Sequence, residues 1–201
     1  MKKVRAVTVD EMILAFVRAE IDSPTERQQY YIDALAQIGR DRATLIDRAD
    51  LTDARQNADR RFLLGVRGYG RNLALFPGFP MDTSWQLVTV TPAEVKLFKY
   101  ANHREGWAQV SGSSRLVADG VKNLDQVQNP VYKRNVTGVA DRVRRGDRSL
   151  QPLIAAQLTG AAEVVLIEGH TRATAYALTD MPDEIEVIIG TSAQMGGWLF
   201  F

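Results

Sequence analysis

The residues best suited to hold a phosphate lie together in one short segment: Glu168, Gly169, His170, Thr171 and Arg172. An apolar run at 163–167 predicts a buried strand before them, and small residues at 171–178 predict a helix that begins at once. The glycine permits a tight turn, so that backbone amides and the positive end of the helix dipole would face a bound anion. The arginine can donate two hydrogen bonds and the threonine adds a hydroxyl, which predicts a phosphate-binding turn.

Each of these residues also has an ordinary structural alternative. His170 could contact a ligand or act in catalysis, or it could only form a hydrogen bond near the start of the helix. Glu168 could bind a metal ion, or it could pair with Arg172 in a structural ion pair. Upstream, Gln151 and Pro152 are predicted to form the floor of the pocket, where their backbone groups would contact a base or a ribose.

The first 80 residues have the patterns of helices. Thr8-Val9-Asp10-Glu11 is a capping box ahead of an apolar run, and a second box at 23–26 precedes apolar residues at helical spacing. Gly39 is a natural stop for that second helix. A third helix is predicted over 52–66, with Arg60 mostly off an apolar face made of Ala54, Ala58, Phe62 and Leu63.

Glycines and prolines between Gly68 and Pro80 end this helical pattern. We therefore divide the chain into a helical N-terminal extension at 1–80 and a second domain at 84–201. In the second domain, short strands alternate with helices, which predicts an α+β (mixed α/β) fold. The strands are predicted over 85–91, 153–157, 163–167 and 185–189, and the helices from Pro92 (capped by Thr91), over 115–124, 136–145 and 171–178.

The turn resembles the signature of the ParB/sulfiredoxin superfamily, in which a strand precedes a glycine, two residues, an arginine, two residues and an alanine, here Gly169, Arg172 and Ala175. The surroundings agree with this resemblance. The segment from the helix at 136–145 through Leu150, Gln151 and Pro152 resembles the family's helix, turn and leucine-glutamine-proline strand. The likeness covers about residues 84–192, and it implies a ParB/sulfiredoxin-like domain behind the helical extension.

Two branches of the superfamily do not fit this chain. Sulfiredoxins carry their reactive cysteine directly after the turn glycine, whereas this chain has His170 there and no cysteine. Partition proteins carry a glutamate and two arginines after the glycine and then a helix-turn-helix domain, for which the 26 residues after Ala175 are too few. The best match in the turn is the branch that resembles the free-serine kinases, whose turn reads acid-Gly-His-x-Arg.

That third branch implies a nucleotide-dependent enzyme. In such kinases the nucleotide phosphates lie on the turn, and an acidic residue near the first strand acts as base toward the acceptor hydroxyl. Glu94 is the nearest equivalent, although a glutamate in a first helical turn also interacts with the helix dipole. The resemblance thus implies ATP, ADP or CTP with Mg²⁺, and a phosphotransferase or hydrolase that acts on a small hydroxylated molecule. Glu94 and His170 are its candidate catalytic residues.

A basic segment at 133–148 supports a competing hypothesis, a non-catalytic module that binds nucleic acid or senses a nucleotide. Its cations are Lys133, Arg134, Arg142, Arg144, Arg145 and Arg148. The whole chain has 25 Lys and Arg against 24 Asp and Glu, so no general excess of positive charge indicates a nucleic-acid partner. A third hypothesis is a scaffold that keeps the fold and binds no ligand.

A second polar patch lies at 102–115 and is predicted to be a loop. It contains His103, Arg104, Trp107, Ser111, Ser113, Ser114 and Arg115. A loop of this length with one aromatic side chain could close over a substrate, or it could be an ordinary solvated loop.

The composition is that of a globular protein, with 45% hydrophobic and 24% charged residues. No apolar run reaches the ~18–20 residues that cross a bilayer, and the basic start lacks the apolar core of a signal peptide. We therefore expect a cytoplasmic protein with no membrane partner and, because cysteine is absent, no disulfide or thiolate metal site. The apolar end at 196–201 is predicted to pack on the N-terminal helices or in a homodimer contact.

Overall fold

A computed structural model of the protein describes residues 1–23, 26–103, 106–127 and 129–201. Its centre is a six-stranded sheet in the order β1-β2-β6-β4-β5-β3. The strands are β1 (Lys2–Val7), β2 (Ser84–Val90), β3 (Lys99–Tyr100), β4 (Leu153–Leu158), β5 (Val164–Glu168) and β6 (Ile185–Ser192).

The sheet is mixed, and its register determines where the predicted turn lies. β1 with β2, β2 with β6, and β4 with β5 are antiparallel, whereas β4 with β6 and β3 with β5 are parallel. Ile154 near the start of β4 is opposite Glu168 at the end of β5. The turn that follows Glu168 therefore lies at the same end of the paired strands β4 and β5 as Pro152, which comes just before β4.

Eight α-helices are found in the described part of the chain. They are α1 (Val9–Ile21), α2 (Glu26–Gln37), α3 (Ala54–Gly65), α4 (Pro92–Val95), α5 (Trp107–Ser111), α6 (Val117–Lys122), α7 (Pro130–Arg144) and α8 (His170–Thr179). Two helices begin with capping boxes, of which the first was predicted as a box and the second only as a cap by Thr91. Thr8 and Glu11 cap α1, and Thr91 and Glu94 cap α4. The box predicted at 23–26 falls partly outside the described residues.

Helices cover both faces of the sheet, which explains why β5 is apolar along nearly its whole length. On one face, Val165 and Ile167 of β5 pack in a core with side chains of α1, α2 and α3. On the other face, Val164 and Leu166 pack with side chains of α7 and α8. Alternate residues of one strand thus serve two cores. The predicted α+β class is confirmed.

Residues 2–7 correct the prediction that the first 80 residues are helical. They form the edge strand β1, in which Lys2 is opposite Thr89 and Val7 is opposite Trp85. Three of its six residues are exposed cations, so the segment has no clear alternation of apolar and polar residues. Its hydrogen bonds to β2 stabilise the strand. The division of the chain near residue 80 stays a prediction, although one sheet includes strands from both sides of it.

The buried face of α3 is also different from the predicted one. Ala54 and Ala58 are exposed, whereas Arg60 is fully buried. The Arg60 guanidinium donates to the backbone oxygens of Leu45, at 2.9 Å, and of Asp50, at 2.8 Å. Because these carbonyls accept from both terminal nitrogens of the guanidinium, the helix can turn a charged side chain inward.

The segment predicted as a loop at 102–115 contains α5 and a 3₁₀ turn at Gly112–Ser114. Ser111 caps the end of α5 by donating its hydroxyl to Trp107 O at 3.0 Å. Trp107 in turn stacks on Tyr100, with 5.2 Å between the ring centroids. Contacts with residues outside this segment, such as Tyr100, therefore stabilise a helix that the polar composition of the segment does not predict. Arg104 lies outside the described residues.

The apolar C-terminus packs within the protein. Trp198 is buried, and its indole Nε1 donates to Leu75 O at 2.9 Å. Its ring lies edge-on to Phe79, with 5.6 Å between the centroids. The tail thus packs on the segment after α3, and a homodimer contact stays a prediction. Of the helices in the described ranges, none combines the length and hydropathy needed to span a bilayer.

Candidate phosphate-binding site

Gly169 makes the turn between β5 and α8, and its backbone explains why no other residue fits. Its φ is +96°, in the left-handed region that side chains with a Cβ rarely adopt. A Cβ at this position would lie 2.6 Å from Leu153 Cδ2 and 3.1 Å from Arg172 Nη2. Both the conformation and the neighbours therefore require glycine.

The first turn of α8 has no side-chain cap. The first intrahelical hydrogen bond runs from Ala173 N to Gly169 O at 2.8 Å. In any α-helix the preceding amides have no partner within the helix. No side chain of the described residues caps those amides here, and Gly169 has none to offer. The amides of residues 170–172 thus have no hydrogen-bond partner among the described residues, and a phosphate on them stays a prediction.

Arg172 is fixed beside the turn by two contacts. Its Nη2 atom forms an ion pair with Glu168 and donates to Pro152 O at 3.3 Å. Its Nε atom is buried and has no hydrogen-bond partner among the described residues. Glu168 thus pairs with Arg172, the structural alternative that the sequence left open. A phosphate at the turn would meet a guanidinium that is already oriented and whose Nε donor is unused.

His170 is held in a column of aromatic rings. Its ring stacks on Tyr100, with centroids 5.8 Å apart and planes inclined by 20°. Tyr100 Oη in turn lies 2.6 Å from Thr174 Oγ1, one helical turn along α8. His170 as a whole residue is half-buried, and the surrounding protein lowers its pKa to about 3, chiefly through burial. His170 is therefore neutral near pH 7 and brings no positive charge to a phosphate.

Gln151 and Pro152 lie just before the start of β4, beside the turn that follows β5. They line a cavity of about 280 Å³. Its other walls belong to β1, β2, β6 and α1 and include Arg5, Glu11, Arg18, Leu87 and Glu186. Pro152 connects this cavity with the turn, because its backbone oxygen also accepts from Arg172, but none of residues 168–172 lines the cavity. The pocket floor therefore stays a prediction.

Glu94 is not brought to this site. Its side chain accepts from Thr91 N at 2.8 Å and contacts the N-terminal ammonium of Met1. These contacts lower the pKa of Glu94, with the ammonium contact the largest cause. Lys96, two residues on, pairs with Asp180 at the opposite end of α8, with 2.6 Å between Nζ and Oδ1. Glu94 therefore serves as a helix cap, and its predicted role as a base gains no support from the geometry.

Sequence reasoning missed a buried carboxylate in the N-terminal helices. Glu20 is 4% exposed at its side chain, and it accepts from Tyr31 Oη at 2.5 Å. Arg67 Nε lies 3.0 Å and Arg27 Nη1 3.5 Å from its carboxylate oxygens. Burial, more than any other cause, raises the pKa of Glu20. The sequence could have indicated this burial, because Glu20 lies four residues after Phe16, on the buried face of α1.

His103, from the polar patch at 102–115, lies near Arg27 and Arg67, the two arginines that pair with Glu20. Its ring is 4.0 Å from the Phe200 ring, centroid to centroid. Burial and then the charges of Arg27 and Arg67 lower the pKa of His103. Across the described ranges, no group of three or more His, Asp or Glu side chains could hold a metal ion.

Comparisons with known proteins leave the family open. No protein-family model matches the chain, and no curated protein and no solved structure matches it. The likeness of the turn to the ParB/sulfiredoxin superfamily therefore stays a prediction from the residues that carry it.

Proposed function

We propose that this protein binds a nucleoside di- or triphosphate, with a phosphate on the turn from Gly169 to Arg172. The observation that carries the proposal is the first turn of α8, which has no side-chain cap. This turn begins at Gly169, where the backbone conformation disfavours any residue with a Cβ. A helix N-terminus of this kind attracts anions through its free amides and its dipole. The fixed guanidinium of Arg172 adds a full positive charge beside it.

Each residue of the turn has a part in this proposal. The amides of residues 170–172 donate to the phosphate oxygens, and Arg172 donates from the Nε atom that has no partner among the described residues. Thr171 is partly exposed in the first turn, where its hydroxyl adds a donor. Neutral His170 shapes the site by its fixed ring. The base or ribose occupies the adjoining cavity at Gln151 and Pro152.

The chemistry that follows from the resemblance is phosphoryl transfer to a small hydroxylated molecule, or to water. The terminal phosphorus loses its bond to the bridging oxygen and gains one to the acceptor oxygen, whose proton is released. Catalysis of such a step needs positioning and charge neutralisation more than covalent chemistry. The turn supplies amides and Arg172 for both. The described residues include no group of three or more His, Asp or Glu side chains placed to hold a metal ion, and we assign Mg²⁺ no step.

The competing nucleic-acid hypothesis is weakened by ion pairs along α7. Arg142 Nε lies 2.7 Å from Asp147 Oδ2, and Arg144 Nη1 lies 2.9 Å from Asp141 Oδ1. Lys133 is similarly paired with Asp125. Half of the six cations of the basic segment thus have a neighbouring carboxylate. Binding to a phosphate backbone would show a steep loss of affinity with salt, which distinguishes it from a nucleotide pocket.

The proposal is tested by placing a negative charge in the first turn of α8. We would record thermal unfolding of wild type and Thr171→Asp with ATP, ADP, CTP and GTP, each with and without Mg²⁺. A ligand at 100 times its Kd stabilises the folded state by about 2.7 kcal/mol. We expect a shift for wild type with at least one nucleotide and none for Thr171→Asp. Without ligand, the variant should be as stable as wild type, because an acid suits a helix N-terminus.

Val131→Asp is the matched control. Val131 is exposed in the first turn of α7, so the variant places the same charge at another helix N-terminus. We expect it to bind nucleotide as wild type does. If no nucleotide shifts wild type, or if Thr171→Asp binds as well as Val131→Asp, the turn is not the phosphate site.

A further inference from the structure

Helix α5 is a short helix between two glycines. It follows Gly106, which has a φ of +86°, and it ends at Gly112, which has a φ of +67°. Residues with a Cβ are strained at such angles. An added Cβ at Gly112 would meet nothing within 4 Å, so the backbone conformation alone requires glycine there. Because glycine has a wide range of backbone angles, these two positions permit α5 to change direction as a unit.

Few contacts hold α5 in its position. Val110 is the only apolar residue of this helix that is buried, and its backbone oxygen accepts from Asn123 Nδ2 at 3.0 Å. The largest side chain, Trp107, is partly exposed and contacts the rings of Tyr100 and Tyr132. A segment with so little buried apolar surface opens at a low cost in free energy. The position of α5 therefore depends strongly on the contacts of Trp107.

Tyr100 connects Trp107 with the first residue of α8 through both its ring and its hydroxyl. The ring that stacks on Trp107 also stacks on His170. The hydroxyl lies 2.6 Å from Thr174 Oγ1, which donates to His170 O at 2.8 Å. Tyr100 is fully buried, and a Cβ at Gly120 would lie only 2.5 Å from its Oη atom. Because α6 leaves the tyrosine so little room, a displacement of Trp107 changes the support of His170.

We propose that α5 regulates the phosphate site, with Tyr100 as the positioning residue that links Trp107 to His170. This inference rests on the proposed function and names a regulation of the same site. While Trp107 stacks on Tyr100, the first turn of α8 is held in the arrangement that binds phosphate. When α5 moves away, Tyr100 holds His170 less firmly and the affinity for phosphate falls. Because coupling between two sites is reciprocal, a phosphate on the turn favours the stacked position of Trp107.

Calorimetry with ATP, ADP, CTP and GTP measures the effect of α5 on binding. We expect Trp107→Leu to bind the nucleotide that wild type binds about three- to tenfold more weakly, because an aromatic pair is lost. Trp107→Phe retains a ring that can stack on Tyr100, so its affinity should be within about twofold of that of wild type.

Two glycine variants separate the effect of α5 from general stability. Gly112→Ala and Gly39→Ala place alanine at φ values of +67° and +62°, and at both positions the new Cβ has nothing within 4 Å. They should destabilise the protein by similar amounts. Only Gly112→Ala displaces α5, so it alone should weaken nucleotide binding.

Tryptophan fluorescence measures the reciprocal effect, which a merely structural role of Trp107 would not produce. Of the three tryptophans, Trp85 and Trp198 are buried, so quenching by acrylamide reports chiefly on Trp107. We expect a saturating nucleotide to lower the quenching of wild type by about twofold, because it favours the stacked position of Trp107. The same nucleotide should leave the quenching of Thr171→Asp unchanged.

The outcomes separate the two proposals. If a nucleotide binds wild type without a change in quenching, or binds Trp107→Leu as tightly as wild type, α5 does not regulate the site. Binding that Thr171→Asp abolishes would then still support the turn. Equal nucleotide affinities of Gly112→Ala and Gly39→Ala would also contradict the regulation. If no nucleotide binds wild type, both proposals fail.

Discussion

Helices α4 and α8 both begin after a strand of the same sheet, yet their first turns are completed differently. In α4, Thr91 N donates to Glu94 Oε2 at 2.8 Å, and Glu94 N donates to Thr91 Oγ1 at 3.3 Å. In α8, Gly169 provides no cap. One helix therefore satisfies amides of its first turn with its own side chains, and the other leaves those amides without a side-chain partner among the described residues. Only the uncapped start has donors to offer, which is why the proposed phosphate site lies at α8 and not at α4.

The largest effect is expected at the glycine of α8. Gly169→Ala should lower the free energy of unfolding by about 2–4 kcal/mol, because alanine is strained at a φ of +96° and its Cβ would overlap Leu153. Gly138→Ala is the control, since Gly138 lies in α7 with nothing within 4 Å of an added Cβ. It should stabilise by about 0.5–1 kcal/mol. Chemical denaturation measures both, and equal effects would contradict the need for glycine at the turn.

A smaller effect is expected from pH at the start of α8. The pKa of His170 is about 3 in the folded protein and about 6.5 when unfolded, so the unfolded state gains the proton first. Stability from this residue is complete above pH 6.5 and is lost as pH falls toward 3. We expect wild type to lose about 1–2 kcal/mol more than His170→Gln between pH 7 and pH 5.

Urea unfolding at both pH values measures this difference. Glu20, whose raised pKa acts in the opposite direction, is present in both proteins and cancels in the comparison. Identical pH dependence in the two proteins would mean that His170 is not held neutral at the helix start.

The smallest effect is expected at the capped helix. Thr91→Ala should cost about 1 kcal/mol of stability, because it removes the cap of α4. Thr171→Ala should cost little, since α8 has no side-chain cap to lose. Nucleotide binding should respond in the reverse order, weaker for Thr171→Ala and unchanged for Thr91→Ala. Thermal unfolding with and without ligand gives both quantities, and matching effects of the two variants would remove the distinction between these helices.

The features that the sequence predicted correctly depend on neighbouring residues. The caps of α1 and α4 and the glycine turn of α8 are local patterns, and all were found where expected. The strand β1 was missed because its paired residues in β2 lie 78 to 87 positions away in the sequence. Arg60 and Glu20 were missed because distant groups satisfy them, the Leu45 carbonyl for one and the Tyr31 hydroxyl for the other. Buried polar residues are hard to predict when their partners are not adjacent.

The position of β6 affects how the chain can fold during synthesis. β6 is the last of the described strands along the chain, yet it lies between β2 and β4 and pairs with both. Until Ser192 has left the ribosome, β2 and β4 have no shared neighbour, and each keeps an unpaired edge. The antiparallel strands β4 and β5 can pair early, since they are neighbours in sequence, but the two halves of the sheet are joined only when β6 has been made. Chaperone binding to the unfinished chain should therefore concentrate on β2 and β4, the two strands that pair with β6.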